Sequence, residues 1–165
     1  MIRLARLCTP TIVVGLVMVF AAGAASAQSS DSLDGTWKMD PAKSTYSPGP
    51  KPQSITLVWE GTDAARKITV DQTPATGEAR HWSVSGAFGK ELPVVGNNPN
   101  ADVYVLKRIN ATTVEIQYLK GGKPTIKQTL VVSADGKTLT ITGTGTNAEG
   151  QTVHNVAVFS KCKRA

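Results

Sequence analysis

Alternation with a period of two residues, repeated over nearly all of the chain after Gly35, constrains this sequence more than any other feature. Leu139 and Ile141 alternate with Thr138, Thr140 and Thr142, and Val114, Ile116 and Tyr118 oppose Thr113, Glu115 and Gln117. Successive side chains of a strand point to opposite faces, so each such run buries one row and exposes the other. Val103, Val105 and Ile109 alternate in the same way with Tyr104, Leu106 and Arg108, although Lys107 interrupts a simple inner face. β-Branched residues favour the extended backbone, and no segment of this region carries a helical stripe. Strands are predicted over 35–39, 53–60, 66–72, 79–88, 102–109, 112–120, 124–133, 137–144 and 152–160.

The turns between these segments specify antiparallel neighbours. Gly121-Gly122 between Lys120 and Lys123 supplies the positive backbone dihedrals of a tight hairpin. Asn110-Ala111 turns the preceding pair, and Ser133-Ala134-Asp135-Gly136 reverses the chain again. Connections this short leave no room for the crossover helices of a parallel sheet. Two regions break the rhythm. Asp40 to Pro52 carries Pro41, Pro48, Pro50 and Pro52 and is predicted to be an ordered excursion with one short turn at 41–44. Leu92 to Asp102, with Pro93, Gly96 and Pro99, is predicted to be a long loop.

A meander of this length must dispose of its edge strands. Closure removes them and lets one side-chain row fill the interior. The fold expected is all-β, an antiparallel meander closed or nearly closed into a barrel of about eight to nine strands, with a two-sheet β-sandwich as the alternative.

Ahead of this domain, residues 1–27 have the form of a cleaved signal peptide. Arg3 and Arg6 precede an apolar run from Thr11 to Ala22, and Ala25-Ser26-Ala27 offers the small residues of a cleavage site before Gln28. The run falls short of the roughly 20 residues that cross a bilayer, so the mature chain is expected to have no transmembrane span and to reside in the periplasm or outside the cell. Cleavage would leave 138 of the 165 residues: a lead over 28–34, a barrel domain over 35–161 and a basic tail over 162–165. It would lower the formal charge from +6 to +4 and remove Cys8, making Cys162 the only thiol. An internal disulfide is then excluded, and stability must come from a packed core.

Gly35-Thr36-Trp37 on the first strand, the hairpin meander, and Lys161 beyond the last strand resemble the lipocalin and calycin group. In that group the tryptophan packs across the base of the barrel and a basic side chain from the final strand lies over it. The resemblance implies a structural base built from Gly35, Trp37 and Lys161. An indole offers a large apolar area and an electron-rich face, and a lysine stem can cover it while its cation stays near the ring. The stretches Asp40–Ser44 and Ser133–Thr138 also resemble small secreted bacterial proteins, which supports export and says nothing of chemistry.

For function, the leading expectation is the binding of a small apolar or lipid-like molecule inside the barrel, with Trp82, Tyr104, Tyr118 and Phe159 as candidate walls. The alternative is a filled barrel acting as an envelope interaction or structural protein, through its strands or the loops around Pro48 and Asn98. No enzymatic activity is expected. His81 and His154, the only histidines, are isolated in sequence, and no nucleophile elbow positions either beside Asp71 and a serine. There is no clustered zinc ligand set, no cofactor is implied, and Gly143-Thr144-Gly145 lacks the lysine of a nucleotide loop. Nucleic acid is not an expected partner, since the basic groups read as solvated charge. Asn110-Ala111-Thr112 matches a glycan acceptor pattern but is read as a turn. Ligand identity and oligomeric state are not specified.

Overall fold

The computed structural model describes residues 31–163. The export segment with Cys8, residues 28–30 of the lead and the last two residues of the tail lie outside the described residues. The described chain forms twelve strands. They are β1 (Gly35–Met39), β2 (Thr45–Ser47), β3 (Ser54–Thr62), β4 (Ala65–Thr73), β5 (Arg80–Gly86), β6 (Glu91–Pro93), β7 (Val95–Gly96), β8 (Val103–Asn110), β9 (Thr113–Lys120), β10 (Lys123–Val132), β11 (Thr138–Thr146) and β12 (Thr152–Lys161).

All pairings are antiparallel, and one sheet runs in the order β6-β8-β9-β10-β11-β12-β1-β3-β4-β5-β7, with β2 attached to β12. The result is a nearly closed meander barrel with a single seam. Closure joins the first strand to the last, where Trp37 faces Lys161 and Met39 faces Phe159. Turn chemistry follows the sequence closely. Gly121 and Gly122 both have positive φ between β9 and β10, and Gly136 N donates to the Ser133 carbonyl at 2.9 Å.

The two irregular regions carry more structure than their prolines and glycines predict. Within 40–52, residues 45–47 pair with β12, opposite His154, Asn155 and Val156. Within 92–102, the predicted loop contributes to the seam. β6 bonds to β8 and β7 bonds to β5, and the two pieces are joined through Val94, so one bent segment serves both edges. Pro93 can occupy this place because it is the last residue of its piece, where a missing N–H costs one ladder bond at most. Tertiary pairing here overrides local composition.

Strand sense puts the turns at 63–64, 87–90, 111–112 and 133–137 at one end of the barrel and those at 74–79, 97–102, 121–122 and 147–151 at the other. The first end is filled. Leu33, Trp37, Leu106, Val114 and Leu139 are fully buried there with Trp59 and Val84. Residues 31–34 cross it as a plug, with Trp37 Nε1 donating to the Leu33 carbonyl at 2.8 Å and Ser32 Oγ donating to Ala111 at 2.7 Å. On β8 it is Tyr104 and Leu106 that face inward, while Ile109 is 45% exposed.

Gly96 is the tightest point of the seam. Its φ is +118°, and a Cβ there would collide with the His81 carbonyl and lie 2.8 Å from Trp82 Cα. Gly96→Val is expected to destabilise the fold by about 1–3 kcal/mol, read as a lower urea midpoint, and by more than Gly77→Val, which shares a positive φ of +88° but meets nothing within 4 Å of the added Cβ.

Candidate functional site

The inner rows of the strands change in bulk toward the second end, and a cavity of about 280 Å³ remains there. Its floor and wall are Leu57, Val70, Trp82, Ile141, Ala157 and Phe159, each buried and each on an inward position of its strand. Above them stand Gln72, Arg80, Gln128 and Asn155, followed by a rim that includes Pro48, Pro50, Pro74 and Pro99. The excursion over 40–52 and the segment near Asn98 therefore form the mouth, and their prolines stiffen it.

Trp82, Tyr118 and Phe159 line this cavity together. Tyr104 does not; it stands behind the wall, stacked on Tyr118 with ring centroids 4.2 Å apart. Its hydroxyl accepts from Trp82 Nε1 at 2.9 Å and from Asn98 Nδ2 at 2.8 Å, fixing one wall residue and one mouth residue at once. Burial pushes the Tyr104 phenol up to about 12, against the pull of its hydrogen bonds. Tyr118 is raised well above its ordinary value by burial and by Tyr104, and Tyr46 goes to about 12 for the first of these reasons and the proximity of Tyr118. The phenols are therefore neutral hydrogen-bonding groups at ordinary pH. Leu57, Val70, Ile141 and the polar Gln72, Gln128 and Asn155 are not singled out by sequence. Their only signal is inward parity, which needs the register.

At the filled end, Lys161 Nζ lies 4.9 Å from the Trp37 ring centroid and donates to the Ser32 carbonyl at 3.2 Å. Gly35 lies beneath that lysine, and a Cβ would meet Lys161 Cε at 3.0 Å. Beside this base is a wide hollow of about 740 Å³, bordered by Asp31, Asp34, Asp63, Arg66 and Arg108. Arg66, 1% exposed, pairs with Asp31 at 2.7 Å, with Asp34, and with Asp63 at 3.4 Å. Arg108 pairs with Asp63 at 2.5 Å and with Asp31, and lies 5.0 Å from the Phe88 ring centroid. Apart from Arg66 Nε, which is buried without a hydrogen-bond partner, the guanidinium nitrogens here are taken up by the three carboxylates, despite the larger volume of the hollow. The network clamps the plug of residues 31–34 onto β4 and β8.

His81 Nδ1 is 2.7 Å from Asp71 Oδ1, but the pair is on the outer face, 64% and 59% exposed, and no nucleophile bonds the ring among the described residues. His154 is exposed on β12. Among the described residues, no group of three or more His, Cys, Asp or Glu is placed to hold a metal ion, and no helix is long and apolar enough to cross a membrane. Cys162 is a free, half-buried thiol, and Asn110 Oδ1 accepts from Thr112 N in its turn.

No family model and no curated protein matches the sequence. Among solved structures, the chain is similar to zebrafish ileal bile acid-binding protein complexed with cholic acid. The identity is 14%, the match covers 79% of this chain and 99% of that one, and the TM-score is 0.47.

The filled end generates a pH prediction. The hydrogen bond from Arg108 holds the Asp63 carboxyl below its ordinary value, with partial burial opposing and Arg66 adding to the shift. A carboxyl lowered on folding stabilises the native state above its unfolded value of about 3.9, and that contribution is lost as pH falls through the folded value. Asp40, lowered chiefly by Lys43, and Asp135, lowered chiefly by Ser133, act in the same direction. Urea midpoints are expected to fall between pH 5 and 2. Asp63→Asn should lower the midpoint at pH 7 and shrink the fall on acidification without abolishing it.

Proposed function

We propose that this protein is an exported carrier or receptor of a small, largely apolar molecule, acting in the periplasm or outside the cell. The single observation that supports this reading is the uneven filling of the barrel. One end is closed by tryptophans and leucines, and the other keeps a cavity whose floor is apolar and whose upper wall is polar. A barrel serving only as a scaffold would gain by filling that space, since interior voids cost packing energy. Its volume is just below the roughly 300–1,000 Å³ common for small-molecule sites. The ligand is accordingly compact, with a short chain or one or two rings. The export reading rests on the form of residues 1–27, and a ligand met outside the cytoplasm follows from that reading.

Gly143 provides the test. It faces the cavity from β11, its φ is ordinary, and an added Cβ would meet nothing closer than Gln128 Cγ and Ile126 Cγ2, both at 3.7 Å. Gly143→Phe should therefore fill the space without straining the backbone. A ligand extract from the native envelope or secretion fraction is expected to raise the thermal midpoint of the wild type. At a hundredfold excess over the dissociation constant the stabilisation is about 2.7 kcal/mol. The variant should keep its far-ultraviolet circular dichroism and lose at least about tenfold in affinity. Equal stabilisation of both proteins would place the ligand elsewhere.

A further inference from the structure

Building on the cavity as a binding site, we infer that the molecule it takes is an amphipathic organic anion. Its charged end lies against Arg80 at the mouth and its apolar part among Leu57, Trp82 and Phe159. The described chain contains three arginines, Arg66, Arg80 and Arg108. Two are engaged by carboxylates at the filled end. Arg80 takes part in none of the ion pairs among the described residues. It is also the one that lines the cavity, and no lysine lines it.

Register explains why the side chain is available there. Trp82 and Val84 face inward on β5, so Arg80, two residues earlier on the same row, faces inward where the strand reaches the mouth. Gln72 is its direct partner across the β4–β5 ladder and lies on the inward row with Val70. A guanidinium and a primary amide side by side present several N–H donors to one acceptor group. The planar fork of arginine suits the paired oxygens of a carboxylate, phosphate or sulfonate.

The other charges near the mouth favour the same orientation. Glu149 lines the cavity from the exposed turn between β11 and β12 and repels an anion from that part of the rim. Glu78 is exposed on the turn before β5 and is not part of the lining. An anion is thus attracted by Arg80 and turned away by Glu149. Half-burial beside apolar side chains leaves the guanidinium less screened than a fully exposed one, which strengthens a charge-assisted hydrogen bond.

Three probes of equal chain length separate this inference from the cavity reading beneath it: octanoate, 1-octanol and octylamine, titrated at low salt against the mature protein by calorimetry and by the change in tryptophan fluorescence, Trp82 being the one of the three tryptophans that lines the cavity. Octanoate is expected to bind at least about tenfold more tightly than octanol, and octylamine most weakly. Arg80→Gln should bring octanoate down to the level of octanol while leaving octanol unchanged, and Arg80→Lys should restore part of the difference. Octanol or octylamine binding as tightly as octanoate, or an unchanged octanoate affinity in Arg80→Gln, would overturn the anion assignment and leave the cavity reading standing. If none of the three binds, and Gly143→Phe matches the wild type toward envelope extract, both readings fall.

Discussion

In a ring of paired strands only every second side chain reaches the interior, and here the bulk of that inner row changes from one end of the barrel to the other. Trp37, Trp59, Leu106 and Leu139 fill one end, while Gly143, Ala157, Gln72 and Gln128 leave space near the other. The packed core and the open cavity therefore come from different heights of the same strands. Burying a large apolar side chain is worth roughly 1.5–3 kcal/mol, so a well-filled end can sustain an open one. The plug of residues 31–34 belongs to this arrangement. It caps the filled end through Leu33, and its aspartates tie Arg66 and Arg108 into one network.

Charge is divided along the barrel in the same way. At the filled end each arginine has two or more carboxylate partners, which is the condition under which a buried guanidinium is tolerated. At the mouth Arg80 has none, and the contrast between three side chains of one type gives the open end its chemical character. The Tyr104 hydroxyl connects wall and mouth by accepting from both Trp82 and Asn98. Substitution there would loosen the cavity without touching a ligand.

Much of the barrel is legible in the residues. The threonine and valine alternation, Gly121-Gly122 and Ser133–Gly136 specify strands and hairpins, because both depend on neighbours in sequence. The segments holding Pro48 and Pro93 are less legible. Their local composition describes loops, yet 45–47 pairs with β12 and 91–96 spans the seam, because distant strands offered unsatisfied backbone groups there. Of the aromatic candidates, Trp82, Tyr118 and Phe159 share the cavity and Tyr104 stands behind it. A period of two identifies a row, but not the height at which a residue meets its neighbours.

The sequence by itself determined the class of structure. Period-two patterning and short turns demand an antiparallel meander, and a single thiol in the expected mature chain demands that packing hold it. Only the tertiary structure decided which side chains share a level of the barrel, and hence where space remains and which arginine lacks a carboxylate. Register across a ladder is a relation between distant segments. A single residue of slip would have turned Arg80 outward and closed the question of what faces the mouth.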